Sequence, residues 1–92
     1  MSDRDEPATA RVLLLNDDET TMEFVVHVLE NVFGKTREEA LKLVLDIHRT
    51  GSGECGVYAL EQATILAARV AELARRNLYP LRCIVGSGPT DW

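Results

Sequence analysis

The sequence predicts an α+β fold in which three helices lie on one face of a small, largely antiparallel sheet. The chain has 92 residues, 46% of them hydrophobic, which allows one small domain with a modest core. Hydrophobic patterning predicts strands and helices in the order β-α-α-β-α-β. In a chain this short, that order indicates helices packed on one side of a sheet.

The first predicted element is an apolar run at 12–15, of the length of a strand and expected at one edge of the sheet. The preceding residues, 1–10, are charged and lack a hydrophobic period. We therefore expect them to form a flexible N-terminal tail, with the folded domain spanning 11–85.

An acceptor-rich turn follows the first strand. Asn16, Asp17 and Asp18 favour a turn, because their side chains bond to the nearby backbone and tolerate unusual dihedral angles. Thr20 then fits the N-cap of a helix, and Glu23, three residues later, completes a capping box.

The first helix is predicted over 21–32 and is apolar around an unusually wide arc. A helix on a sheet needs an apolar stripe of only roughly 100°, so this helix is expected to line a second surface besides the core. Polar oxygens at the edge of that surface would suit a ligand with a cationic head and an apolar tail. The apolar positions are Met22, Phe24, Val25, Val26, Val28, Leu29, Val32 and Phe33.

The second helix is predicted over 37–49. Gly34 ends the helix before it, and Thr36 with Glu39 forms a capping box. The short connection indicates a hairpin of two packed helices. His48 falls within the apolar arc of this second helix. A histidine in such a place is more often an ordinary interior residue than a functional one.

The remaining elements follow a glycine-containing loop. A second strand is predicted over 55–58, with Gly56 indicating a bulge or a close neighbour. The third helix is predicted over 60–77 and the third strand over 81–85. A flexible C-terminal tail is expected over 86–92.

Charge and cysteine content limit the possible partners and the compartment. A net charge of −5 argues against binding to nucleic acid or an anionic membrane, because both require a basic surface. With no apolar stretch of membrane-spanning length and no signal-peptide pattern, we expect a cytoplasmic protein. Cys55 and Cys83 lie in apolar runs and are expected to be buried thiols.

Three other site chemistries fit poorly. The glycines of 51–56 match G-x-G-x-x-G, but a dinucleotide site needs a strand before this motif and a helix after it, and the opposite order is predicted here. The acidic residues of 17–23 and His48 lack the spacing of an EF-hand or a zinc site. No nucleophile pairs with a base. We therefore expect no metal, no cofactor and no enzymatic activity.

Several separated segments resemble the ClpS family, the adaptors that deliver N-degron substrates to Clp proteases. The segments are NDDETTMEFV at 16–25, IHRTGSGECGVY at 47–58 and PLRC at 80–83. They occur in the family's order and extend over most of 12–85. The resemblance implies a three-stranded antiparallel sheet with three helices on one face.

The resemblance also implies a function. The family binds proteins whose first residue is Leu, Phe, Tyr or Trp and delivers them to an AAA+ unfoldase such as ClpA. Its members are not enzymes, and we expect a monomer. The alternative is a scaffold or an inhibitor of the unfoldase, with the same fold and a vestigial or narrowed pocket.

Carried over by position, the family's motifs assign roles to residues of this chain. Asn16, Asp17 and His48 would bind the α-amino group of the substrate, and Asp18 and Thr20 its backbone. The side-chain pocket would be lined by Met22, Val25, Val26, Val44, Ile47 and Leu81. Met22 at its entrance is expected to exclude β-branched Ile and Val.

The chain departs from the family in the segment that docks onto the unfoldase. Glu61 is kept, but Ala59 replaces a usual Thr, and Thr64 and Ile65 stand where the family has Glu and Thr. The N-terminal tail is also short. These differences predict altered docking or a narrower substrate range, as in a divergent second adaptor.

Overall fold

The computed structural model describes residues 8–87. Three helices and a three-stranded antiparallel sheet follow one another in the order β-α-α-β-α-β, which confirms the predicted fold class. The elements are β1 (Thr9–Leu15), α1 (Met22–Asn31), α2 (Arg37–Thr50), β2 (Ser52–Ala59), α3 (Leu60–Arg76) and β3 (Arg82–Ser87).

Strand β1 lies in the centre of the sheet, between β2 and β3, and pairs antiparallel with both. The prediction of an edge strand is therefore wrong. Ala10, Val12 and Leu14 point into the core and are fully buried, while Leu13 and Leu15 on the opposite face are half-buried. Its central position follows from these two pairings, which use both edges of the strand.

Each strand begins earlier or ends later than predicted. Strand β1 starts at Thr9, inside the segment expected to be a tail, and β3 continues to Ser87. The backbone of Ala8 is held as well, since its carbonyl accepts a hydrogen bond of 2.8 Å from the amide of Leu60. The other residues of the predicted tails, 1–7 and 88–92, lie outside the described residues.

The bulge predicted at Gly56 is confirmed. The register between β1 and β2 shifts, so that Val12 faces Gly56 while Leu13 faces Glu54. Gly56 has a φ of +155°, and a Cβ atom there would lie 2.8 Å from the hydroxyl oxygen of Tyr58. The position thus requires glycine both for its backbone and for the space that Tyr58 occupies.

The core lies between the sheet and the helices. Helix α1 buries five of its ten residues, so the wide apolar arc predicted for it is confirmed; they are Phe24, Val25, Val26, Val28 and Leu29. Helix α2 contributes Ala40, Val44 and Ile47, and α3 contributes Ala63, Leu66, Val70 and Ala74.

Both cysteines are free thiols, as predicted. Cys55 is buried and Cys83 is half-buried. Burial raises the pKa of Cys55 to about 12 and that of Cys83 to about 11. Neither thiol therefore ionises readily at neutral pH.

Candidate functional site

A cavity of about 280 Å³ lies where the turn after β1 meets α1 and α2. Its lining comes from three separate parts of the chain. The lining residues are Asn16, Asp17, Asp18, Thr20, Met22, Val25, Val44, Ile47 and His48. All nine were singled out by the sequence analysis.

The cavity has an apolar floor and a polar rim. Val25, Val44 and Ile47 form the floor and are each less than a tenth exposed. Asn16 and His48 lie exposed at the rim, beside the three other polar residues of the turn. The lining includes two carboxylates and neither lysine nor arginine, so the rim offers acceptors to a cation.

Met22 stands at the mouth of the cavity with 58% of its surface exposed. It is the first residue of α1, so its side chain extends from the start of the helix towards the turn. A flexible thioether in this place can narrow or widen the entrance without moving the backbone.

Asp17 organises the turn through hydrogen bonds to its own neighbours. Its Oδ1 accepts from the backbone amides of Glu19 (2.8 Å) and Thr20 (2.7 Å), and its Oδ2 accepts from the Thr20 hydroxyl (2.7 Å). Partial burial raises the pKa of Asp17, but these bonds outweigh it, and the net effect is a pKa below the usual 3.8. Asp17 is therefore a carboxylate at neutral pH, mainly engaged within the turn.

These bonds correct the predicted helix cap. Thr20 is not the N-cap, because Asp17 holds both its amide and its hydroxyl. Thr21 caps α1 instead, its hydroxyl oxygen accepting from the amide of Phe24 at 3.1 Å. The predicted capping box with Glu23 is consequently absent, since Glu23 lies only two residues after this cap. The cap predicted for α2, the box of Thr36 and Glu39, is confirmed.

Asn16 and His48 come to the same cavity because β1 and α2 end side by side. Gly51 closes α2 in the left-handed conformation, with a φ of +96°. Its amide donates to the Ile47 carbonyl at 2.9 Å, and its own carbonyl accepts from the Asn16 amide at 2.9 Å. The last turn of α2 carries His48, and the negative end of its dipole favours a cation nearby.

Two residues expected in the side-chain pocket lie elsewhere. Val26 follows Val25 by 100° around α1 and lines a second cavity of about 590 Å³, shared with Met22 and Leu41. Leu81 is buried in the core just before β3 and does not line the first cavity. The floor is thus formed by α1 and α2.

The residues expected to dock onto the unfoldase lie on α3, outside the cavity. Glu61, Thr64 and Ile65 are all exposed on the first half of this helix, and Ile65 has 51% of its surface exposed. Leu60 beside them is 47% exposed. The Thr64 hydroxyl donates to the Leu60 carbonyl at 2.9 Å, so it is already engaged within the helix.

Tyr79 supports the site and was not predicted. Its ring packs against Phe24, with 4.8 Å between ring centroids, and its hydroxyl lies 3.5 Å from that of Thr21. Tyr79 thus connects the entry to β3 with the start of α1. The sequence holds no signal for this contact, because the two residues are far apart in the chain.

Within 8–87, no three His, Cys, Asp or Glu residues are grouped so that they could hold a metal ion. None of the helices in this range combines the length and apolar character needed to cross a bilayer.

The chain is similar to known proteins in both sequence and structure. The family model described as ATP-dependent Clp protease adaptor protein ClpS matches residues 5–84. The ClpS adapter protein of Phenylobacterium zucineum is 54% identical over 78 residues, covering 85% of this chain and 72% of its own. That of Nitratidesulfovibrio vulgaris is 58% identical over 77 residues, covering 84% and 74%.

A solved structure agrees with these matches. The structure of Agrobacterium tumefaciens ClpS2 bound to L-phenylalaninamide superposes with a TM-score of 0.87 at 30% identity, covering 90% of this chain and all of that one. The family match over residues 5–84 covers the helices and strands described above except the end of β3, and it includes every residue that lines the cavity. The chain therefore belongs to the ClpS family of Clp protease adaptor proteins.

Proposed function

We propose that this chain is an N-degron adaptor, which binds proteins that begin with Leu, Phe, Tyr or Trp and delivers them to a Clp protease. The observation that carries the proposal is the cavity with a buried apolar floor and an acceptor-rich rim. L-phenylalaninamide, the ligand of the ClpS2 structure, has a free α-amino group and one apolar side chain. It therefore resembles the first residue of such a substrate.

The rim recognises the α-ammonium group of the substrate. This group has three N–H donors and carries a charge, so it enters a protein only where acceptors replace water. Asn16 Oδ1 and a ring nitrogen of His48 supply two acceptors. Asp17 Oδ2 supplies a third, since the Thr20 hydroxyl uses only part of its capacity. An acetylated or internal residue cannot satisfy this arrangement.

The floor receives the side chain of that first residue. Val25, Val44 and Ile47 offer a buried apolar surface, which favours a long or aromatic side chain over Ala through the area removed from water. Met22 at the mouth crowds a branch at the β-carbon more than a branch further out. Leu and Phe are thus accepted, and Ile and Val are disfavoured.

Thr20 and Asp18 bind the substrate backbone as acceptors. The Thr20 hydroxyl donates its hydrogen to Asp17 at 2.7 Å, so its remaining lone pairs can accept from the amide of the second substrate residue. Asp18 is exposed at the same rim and is available for the same role.

Delivery requires a second surface, and we assign it to the start of α3. Exposed Leu60, Glu61, Thr64 and Ile65 form a small apolar patch with one carboxylate, which suits the N-terminal domain of a ClpA-type unfoldase. The adaptor acts as a monomer and performs no chemistry itself.

Peptide binding tests the proposal. Labelled peptides that differ only in a first Leu, Phe, Tyr, Trp or Ala are titrated with the protein and followed by fluorescence anisotropy. We expect the four bulky residues to bind and Ala not to bind. Asn16→Ala should weaken the binding of every peptide that begins with a bulky residue. A protein that binds none of the five would instead be the scaffold or inhibitor with a vestigial pocket.

A further inference from the structure

Gly53 lies beneath the floor of the cavity. It is buried in β2, and its α-carbon faces the side chain of Ile47 on α2. A Cβ atom on Gly53 would lie 2.5 Å from Ile47 Cγ1 and 3.2 Å from Ile47 Cδ1. Carbon atoms in contact normally lie about 3.5–4.0 Å apart, so Ile47 occupies space that only glycine leaves free.

The backbone does not explain why glycine is present here. The glycines with a left-handed or otherwise positive φ in the described chain are Gly34, Gly51 and Gly56, and Gly53 is not among them. Glycine inside a strand weakens the strand and commonly marks the close approach of another group. The approaching group at this position is Ile47.

We infer that Gly53 determines the depth of the side-chain pocket, and hence which first residues it accepts, by letting Ile47 lie against the sheet. The inference rests on the proposed function, because it concerns the selectivity of the same cavity. Gly53 itself does not line the cavity and acts as a positioning residue. Its effect on a ligand passes through Ile47.

The surrounding hydrogen bonds determine where Ile47 must go when Gly53 gains a side chain. The Ile47 carbonyl accepts from Gly51, and the Gly51 carbonyl accepts from Asn16, each at 2.9 Å. These two bonds hold the end of α2 to the end of β1, so the helix resists moving away from the sheet. The Ile47 side chain is therefore displaced into the cavity that it lines, and the pocket becomes shallower.

A Gly53→Ala variant tests this with peptides that begin with Leu, Phe or Trp. The affinity for Trp and Phe should fall by about tenfold or more, and that for Leu by less than about threefold, because overpacking penalises the largest occupant most. Gly34→Ala is the matched control. A Cβ there meets no atom within 4 Å, yet its φ of +66° disfavours alanine. It should lower stability and leave the ranking of peptides unchanged.

Ile47→Ala supplies the compensating change, because it removes the atoms with which a Cβ at position 53 collides. Adding Gly53→Ala should lower the urea midpoint of the wild type but maintain or raise that of Ile47→Ala, where the new methyl group fills vacated space. If Gly53→Ala alone does not fold, the double variant of Ile47→Ala and Gly53→Ala must fold. A double variant that is less stable than Ile47→Ala would overturn the inference.

The outcomes separate this inference from the proposed function. A wild-type protein that binds none of the bulky peptides contradicts the proposed function and this inference with it. Suppose instead that the wild type binds the bulky peptides and that a folded Gly53→Ala variant has the same ratio of Trp-peptide to Leu-peptide affinity. This result contradicts only the assignment of Gly53. The assignment is supported if Gly53→Ala lowers this affinity ratio and the addition of Ile47→Ala abolishes the decrease.

Discussion

At the scale of single residues, Asp17 determines the shape of the candidate site. Its carboxylate accepts hydrogen bonds from two backbone amides and one hydroxyl, all within three residues of it in the chain. Those bonds hold Thr20 at the cavity, whereas the bond from the Asn16 amide to the Gly51 carbonyl holds Asn16 there. We therefore expect Asp17 to contribute to binding mainly by holding Glu19 and Thr20, and only secondarily through its own charge.

The pH dependence of this turn follows from its hydrogen bonds. The pKa of Asp17 is lower in the folded protein than the usual 3.8, so its stabilising effect is complete above that value and is lost as the pH falls below it. In NMR titrations, the amide resonances of Glu19 and Thr20 should move only below about pH 4. Asp17→Asn should abolish this movement. A midpoint above the usual 3.8 would contradict the assignment.

We expect Met22 to control the entrance by its size. Met22→Ala should admit peptides that begin with Ile or Val, a gain of binding, because the truncation removes the atoms that crowd a branched β-carbon. Its affinity for a Phe peptide should change by less than about tenfold, since the residue is exposed and its burial adds little. Anisotropy titrations of the wild type and of Met22→Ala with peptides that begin with Ile, Val or Phe measure this. Continued exclusion of Ile would place the selectivity in the floor instead.

At the scale of elements, α3 has a weak start. Its N-cap residue, Ala59, has suitable dihedral angles of −56° and 145° but makes no side-chain cap bond. By contrast, Thr21 caps α1 and Thr36 caps α2, each through its side-chain hydroxyl. Helix α3 thus carries the proposed docking patch on a first turn that lacks this stabilisation.

A cap introduced at Ala59 should stabilise the protein. Ala59→Thr supplies a hydroxyl acceptor, and we expect its free energy of unfolding to exceed that of Ala59→Val by about 0.5–2 kcal/mol. Valine is the matched control, because it has a similar shape and no acceptor. Urea unfolding of the two variants measures the difference. Equal stability would show that the helix start gains nothing from a cap.

The order and type of the elements could be predicted because local patterns determine them. Hydrophobic period, capping residues and glycines act over a few residues. The central place of β1 could not, because it depends on β3, some 70 residues later. The shift of the cap from Thr20 to Thr21 was missed because Asp17 competes for Thr20, a contest between two local motifs that the sequence alone does not decide.

The same division applies to the site. The family's motifs led to all nine residues that line the cavity. They also led to Val26 and Leu81, which the structure places in a second cavity and in the core. A motif carries the position of a residue in the chain, whereas the direction of its side chain depends on how the helices pack. The assignment to a divergent second adaptor stays a prediction.

At the scale of the whole molecule, the two thiols report on folding. Burial raises the pKa of Cys55 to about 12 and that of Cys83 to about 11, so the reactive thiolate is scarce in the folded state. Cys55 should resist a thiol reagent at pH 8 until the protein unfolds, and Cys83, half-buried, should react first. Mass spectrometry with and without urea tests this. Equal rates for Cys55 in both conditions would contradict its burial.

The central claim is that the cavity recognises a free α-amino group together with a bulky side chain. The most direct test compares one Phe-initiated peptide with its Nα-acetylated form, in wild type and in Asn16→Ala. We expect the free peptide to bind at least about tenfold more tightly, since a lost hydrogen bond to a charged group costs about 1.5–3 kcal/mol. Asn16→Ala should weaken the binding of the free peptide and leave the affinity for the acetylated peptide unchanged. Equal affinity of the two peptides for the wild type would contradict the account.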